Sequence, residues 1–217
     1  MNTEYLLGLM NQLSIRRRLF HSEADFQLEL ASLFKESGHS VRLEKSFRLN
    51  TNFIENVKFE LDIELDGEIA IELKYKTKKL SINVDGEQFF LTSHSAGNLG
   101  RFDAIDDARW VRELVNSGIS TNGFTIFLTN DYDYWTNDAS NTMARNFNIV
   151  QERVLSDGDS LAWHPIDPSA GSAGKSRINP YAPITIHFNE MIRWHNYSNL
   201  NGVKNGDFRF FVINVNN

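Results

Sequence analysis

The residues with the clearest chemical potential are Asp62, Glu72 and Lys74. Residues 59–65 alternate apolar with acidic side chains, residues 69–75 alternate again, and Asp66 and Gly67 between them have the composition of a tight hairpin turn. Side chains alternate faces along a strand, so Glu72 and Lys74 share one face, and the turn brings Asp62 across to them. Leu61, Ile63, Ile71 and Leu73 are left to bury the opposite face. Two carboxylates and an ammonium at one strand end suit attack on a phosphodiester. Mg²⁺ takes oxygen ligands in octahedral geometry and keeps several waters, so Asp62, Glu72, a backbone carbonyl assigned to Leu73 and a substrate phosphate suffice. Bound metal lowers the pKa of an attacking water and neutralises charge at phosphorus, while Lys74 orients that water or stabilises the pentacoordinate state.

The flanking sequence supplies elements to hold such a hairpin. Ser22 precedes Glu23 and Asp25, and Phe26, Leu30, Leu33 and Phe34 recur at helical spacing, which predicts a capped helix over 22–36 stopped by Gly38. A looser period through Tyr5, Leu6, Leu9, Leu13 and Leu19 suggests a helix before it. Val41, Leu43 and Phe47 read as a strand, and another short strand is expected over 88–91. Phe102, Ile105, Ala108, Val111, Leu114 and Val115 form a helical stripe ended by Gly118, and residues 123–130 read as a buried central strand. Further on, 184–188 and 208–213 read as strands, with Met191 to Tyr197 helical between them. The expectation is one domain, an α/β mixed sheet flanked by helices, with a core over about 20–130 and C-terminal strands and helix over 131–217.

Asp62 followed by Glu72, Leu73 and Lys74 on the next apolar strand resembles the signature of the PD-(D/E)XK nucleases, the restriction-endonuclease-like group. Leu61 stands where that signature usually has proline. The arrangement around Leu128 to Asp131 and the region of Trp194 are similar to bacterial members of the group. The resemblance implies a restriction-endonuclease-like fold, Mg²⁺ or Mn²⁺ as cofactor, and nucleic acid, DNA above RNA, as substrate. It also implies an acidic residue from the first core helix at the metal site, a role that falls on Glu23, with Glu29 as the fallback. Glu23 lies three and seven residues before Phe26 and Leu30 and so shares their face, although an acid there equally suits the helix dipole.

Arg101, Asp103, Asp106 and Arg109 could line the cleft and contact phosphate or the metal's water shell; an ion-paired helix surface explains the last three equally well. Asn130 and Asp131 follow the buried strand, where α/β folds often place ligand-contacting loops, and Tyr132, Tyr134 and Trp135 lie beside them, with core or lid packing the better use of Trp135. His94 follows the hairpin in sequence and is read as an exposed loop histidine. The six histidines show no zinc spacing. Ser169 to Ser176 ends like a phosphate-binding loop, but its first glycine position holds Ser169 and no strand leads into it, so the 167–179 stretch is read as a mobile loop.

The chain has 217 residues, 41% of them hydrophobic, no cysteine and a formal net charge of −6. The charge counts against a generic nucleic-acid coat while leaving room for a local basic rim from Arg16 to Arg18 or from Lys74, Lys76, Lys78 and Lys79, runs that a solvated surface explains at least equally well. No secretory signal or membrane helix is legible, and the absence of cysteine suits a reducing compartment, so a cytoplasmic protein is expected. No reader module for nucleic acid is visible. Two other readings are open. One is a catalytically inactive nuclease-fold protein acting as a nucleic-acid- or protein-binding module. The other is an interaction protein, a homodimer for example, in which Phe208 to Val215 offers an edge strand.

Overall fold

Two helices open the chain, and each is started by a side chain that satisfies an orphan amide. Asn2 accepts the Tyr5 N–H at 2.9 Å and begins α1 (Thr3–Arg16); Ser22 accepts the Asp25 N–H at 3.2 Å and begins α2 (Glu23–Glu36). The Asp25 carboxylate reaches back to the His21 N–H at 2.8 Å, fixing the chain's entry into the helix. Leu6, Leu9, Met10 and Leu13 of α1 and Phe26, Leu30, Leu33 and Phe34 of α2 are buried, each set at helical spacing. Gly38, at φ +92°, turns the chain out of α2, as expected. The computed structural model describes residues 1–49, 56–94, 97–164 and 183–216, so the 167–179 stretch, with its glycine-rich tail, lies outside the described residues.

Strands β1 (Val41–Leu49), β2 (Val57–Leu65) and β3 (Ile69–Lys76) follow, then the hairpin β4 (Leu80–Val84) and β5 (Glu87–Leu91), helix α3 (Gly97–Asn116) and strand β6 (Asn122–Thr129). Beyond a short α4 (Asp133–Thr136) come four two-residue strands, β7 (Val154–Leu155), β8 (Ser160–Leu161), β9 (Ile184–Thr185) and β10 (Glu190–Met191), and finally β11 (His195–Asn199) and β12 (Asp207–Asn214). The main sheet has six strands in the order β1, β2, β3, β6, β12, β11. Only β3 and β6 run parallel, and α3 with the β4–β5 hairpin forms the crossover between them. The fold is a single-domain mixed α/β protein.

Each face of the sheet carries its own core. On one, α1 and α2 pack with Ile63, Ile71, Leu73 and Tyr75, together with Phe124, Ile126 and Phe208. On the other, Ala104, Ala108 and Val111 of α3 pack with Ala70, Phe127, Phe211 and Ile213, and the irregular segments around Phe147, Ile186 and Trp194 cover the rest. Alternation along β3 therefore sends Ile71, Leu73 and Tyr75 toward α2, and Glu72, Lys74 and Lys76 toward α3.

Four sequence expectations change. Met191 to Tyr197 is not a helix: Glu190 and Met191 pair with β7, and His195 to Asn199 form an edge strand that buries Tyr197 against Phe20 and Phe210. The Tyr197 hydroxyl donates to the Arg17 carbonyl at 2.7 Å, a tertiary contact that outweighs the segment's weak helical pattern. The 184–188 strand is only the two residues of β9. The 208–213 segment is a strand but not an edge, because β6 and β11 pair on either side of β12. Leu61 does not share a core with Ile63; it belongs to the α3 side, for a reason that lies in the site itself. Among the described residues no helix is long and apolar enough to cross a membrane.

Candidate active site

Strand β2 pairs with β1 along its whole length but with β3 only at Leu65, Glu64 and Ile63, opposite Ile69, Ala70 and Ile71. At Asp62 it leaves β3. Asp66 and Gly67, both at positive φ, make the turn that holds the paired part together. Gln27 fixes the point of departure: its amide donates to the Asp62 carbonyl at 2.8 Å and to Glu44, itself at φ +52°, at 2.7 Å. Past that point the β1–β2 arm rotates toward α3. Ile63 and Leu65 face α2, whereas Leu61 is buried on the α3 side and Phe59 stacks on Trp110 at 5.8 Å.

The departure strips β3 of a strand partner on one edge, and side chains replace it. The Leu73 N–H donates to Asp62 Oδ2 at 2.6 Å, the Tyr75 N–H to Glu23 Oε2 at 2.6 Å, and the Thr77 N–H to His94 Nδ1 at 2.9 Å. Asp62 in turn donates its own N–H to Glu72 Oε1 at 3.1 Å. A buried amide without an acceptor costs about 1–3 kcal/mol, so these caps account for part of the residues' placement by folding alone. They also put Asp62, Glu23 and His94 in a row along one open edge.

Glu72 and Lys74 face α3, and α3 answers with acids. Lys74 Nζ lies 3.1 Å from Asp107 Oδ2, and Lys76 Nζ lies 3.5 Å from Asp103 Oδ2, the two aspartates being one helical turn apart. Ala104 completes the contact, and the space among Glu72, Lys74 and Asp107 does not admit a water-sized molecule. Burial pushes the Asp62 carboxyl up to about 6, with the charge of Glu23 adding to it and the Leu73 amide and Lys74 opposing it. Burial, then Asp62 and Asp107, raise Glu72 well above the ordinary carboxyl range. Burial also lifts Asp107 to about 7 against the pull of Lys74. Burial works against the Lys74 ammonium, but Asp107, Glu23 and Glu72 together hold its pKa above the usual lysine value.

Two neighbouring carboxylates, Asp62 half-buried and Glu72 buried, with oxygen donors only, fit a hard divalent ion of the Mg²⁺ or Mn²⁺ type. Asp62 and Glu72 could hold it, and Leu73 turns its carbonyl to the same vacated edge as its amide, since both leave a strand on one side. Among the described residues no three acid or histidine side chains are gathered tightly enough to hold an ion together. The row explains this: consecutive caps are two residues apart along β3, about 6.6 Å, whereas ligands on one ion nearly touch. Glu23 therefore stands beside the Asp62–Glu72 pair rather than in one cluster with it.

The other residues singled out from the sequence are occupied elsewhere. Arg101 is buried and donates to the carbonyls of Asp133 and Asn137, tying α3 to α4. Asn130, also buried, accepts the Lys78 N–H at 2.7 Å and donates to the Asn205 carbonyl at 2.8 Å. Arg109 pairs with Asp106 at 2.7 Å and lies over the Trp110 ring. Asp103 reaches the site's border through Lys76. Trp135 packs against Trp194 and Arg209. Sequence reasoning missed Asp107 and Gln27 altogether. The Asp106–Asp107 pair offered a choice that only the helix rotation against β3 decides, and Gln27 carries no signal outside its contact with the departing strand. Comparison of the chain with protein-family models, with curated proteins and with solved structures gives no match.

Proposed function

We propose that the protein is a divalent-metal-dependent nuclease that hydrolyses phosphodiester bonds of nucleic acid, with DNA the favoured substrate. The observation that carries this reading is the departure of β2 at Asp62, which opens one edge of β3 and leaves Asp62, Glu72 and the Leu73 carbonyl beside it, with Lys74 two residues from Glu72.

In this reading Asp62 and Glu72 hold Mg²⁺ or Mn²⁺, which when bound supplies charge neutralisation at the phosphate and a more acidic water. Lys74, kept charged by Asp107, acts as a fixed positive donor toward the phosphate oxygens or the attacking water, not as a base. Asp107 holds the ammonium in place. Glu23 caps the neighbouring amide and adds negative charge at the open edge, which favours a cation there. The net charge of −6 is compatible with this, because the phosphate meets the metal and the lysines locally.

A second reading has its own observation. Lys74 is already paired with Asp107, and no three-acid cluster exists among the described residues, features that also suit a nuclease-fold protein that binds nucleic acid or protein without turnover. Metal-dependent cleavage assayed on DNA and RNA, beside calorimetric Mg²⁺ binding, separates the two: turnover with binding supports the enzyme, and a folded protein with neither supports the inactive fold.

A further inference from the structure

Beside the row of caps, a pocket of about 250 Å³ opens between the start of α2, the end of β3 and the β4–β5 hairpin, walled by His21, Glu23, Lys76, Thr77, Phe90 and His94. Phe90 is the unusual member. On β5 its neighbours Phe89 and Leu91 are buried in the core, and alternation turns Phe90 outward, where it stays 71% exposed opposite Ser81. The fold makes no use of an aromatic ring there, and a polar side chain would serve the strand as well. The pocket's other walls are mostly polar, with Tyr75 and Leu91 among them. His94 accepts the Thr77 N–H on Nδ1, so in the neutral ring Nε2 carries the hydrogen and is a donor. Lys76 lines the pocket from the α3 side, where its ammonium pairs with Asp103 at 3.5 Å, and Glu23 offers the carboxylate whose other oxygen accepts the Tyr75 N–H.

A flat ring at the mouth, a donor, an acceptor and a cation within make a site for something planar that has both polar edges and a phosphate. We propose that this pocket receives one unstacked nucleotide of a single-stranded nucleic acid, its base lying on Phe90 and its polar edge toward His94 and Glu23, while Lys76 meets the adjoining phosphate. This rests on the nuclease reading for its direction along the strand: Glu23 and Asp62 cap consecutive edge amides of β3, so a chain entering the pocket passes Glu23 and continues to the Asp62–Glu72 pair. A base held in a duplex cannot enter such a pocket, so the site selects single strands or frayed ends.

The test is fluorescence anisotropy with a labelled thymidine homopolymer, single-stranded and annealed to its adenosine complement, with Ca²⁺ in place of Mg²⁺. The single strand should bind more tightly than the duplex, Phe90→Ala should weaken it by about tenfold or more, and Phe90→Tyr should restore most of the loss. Phe90 is exposed, so neither variant should disturb folding, and thermal midpoints check this. Equal binding by Phe90→Ala and wild type, equal binding of duplex and single strand, or no binding at all would overturn the pocket. Ring-dependent binding without cleavage in Mg²⁺ keeps the pocket and removes the nuclease; cleavage with ring-independent binding does the reverse.

Discussion

Asp62 and Leu73 meet across a gap in the sheet: the Asp62 carboxylate accepts the Leu73 N–H at 2.6 Å at the place where β2 has ceased to pair with β3. One side chain thus serves two ends, completing the backbone hydrogen bonding of an exposed strand edge and presenting its charge beside Glu72.

The two roles separate by substitution. Asp62→Asn keeps an acceptor for the Leu73 amide and removes a charge that burial disfavours, so its metal-free thermal midpoint at neutral pH should equal or exceed that of wild type, while nuclease activity falls by at least about a hundredfold. Asp62→Ala should lose the same activity and be less stable than Asp62→Asn by about 1–3 kcal/mol, because a buried amide is left without an acceptor. Urea unfolding of the two variants, beside cleavage rates, checks this. A stable alanine variant would mean that the cap contributes nothing.

The Lys74–Asp107 pair, each side chain about one-fifth exposed, lies between a surface and a buried ion pair. Lys74→Met and Asp107→Asn should each destabilise the fold by about 1–3 kcal/mol, and the double variant should cost less than their sum, with a coupling of about 1–2 kcal/mol. Cleavage should be abolished by Lys74→Met and reduced by Asp107→Asn. Additive stability losses would show that the two groups do not act together.

Stability should also fall with rising pH across the acidic range when no divalent ion is present. Asp62, pushed up to about 6 chiefly by burial, and Glu72, raised by burial and then by Asp62, both bind a proton more tightly in the folded chain than unfolded carboxyls near pH 4 do. Between those values the unfolded chain carries fewer protons than the folded one, so the free energy of unfolding declines as pH rises from about 4 through about 6. Mg²⁺ should reverse this by binding the ionised pair, and its gain in thermal midpoint should be larger near about pH 7.5 than near about pH 5. A gain that is absent, or the same at both, would remove Asp62 and Glu72 as the ion's ligands.

The hairpin was legible because two independent signals coincide there: alternation, strict over 59–65 and resumed from Ile71 on the return strand, and a turn sequence with Asp66 and Gly67 at positive φ. The capped helix α2 and the buried strand β6 were legible for similar reasons. What the sequence could not carry is tertiary. Nothing local to residues 41–65 tells that β2 abandons β3 at Asp62, so Leu61 was assigned to the wrong face even though its burial was foreseen. Likewise His94 gained its partner only from the Thr77 amide that no strand pairs, and Asp107 only from the rotation of α3 against β3. Tyr197 went astray for the same reason, since its strand is fixed by Phe210 and the Arg17 carbonyl, both distant in sequence.

The proposed hydrolysis of a phosphodiester by Asp62, Glu72 and Lys74 with a divalent ion is tested by Mg²⁺- or Mn²⁺-dependent cleavage of single- and double-stranded DNA and RNA by wild type, Asp62→Asn and Lys74→Met. The expected result is cleavage by wild type, stopped by chelation and lost in both variants, with DNA cut in preference to RNA. No cleavage of any substrate by folded wild type, together with no Mg²⁺ binding by calorimetry, would contradict it and leave the inactive nuclease-fold reading standing.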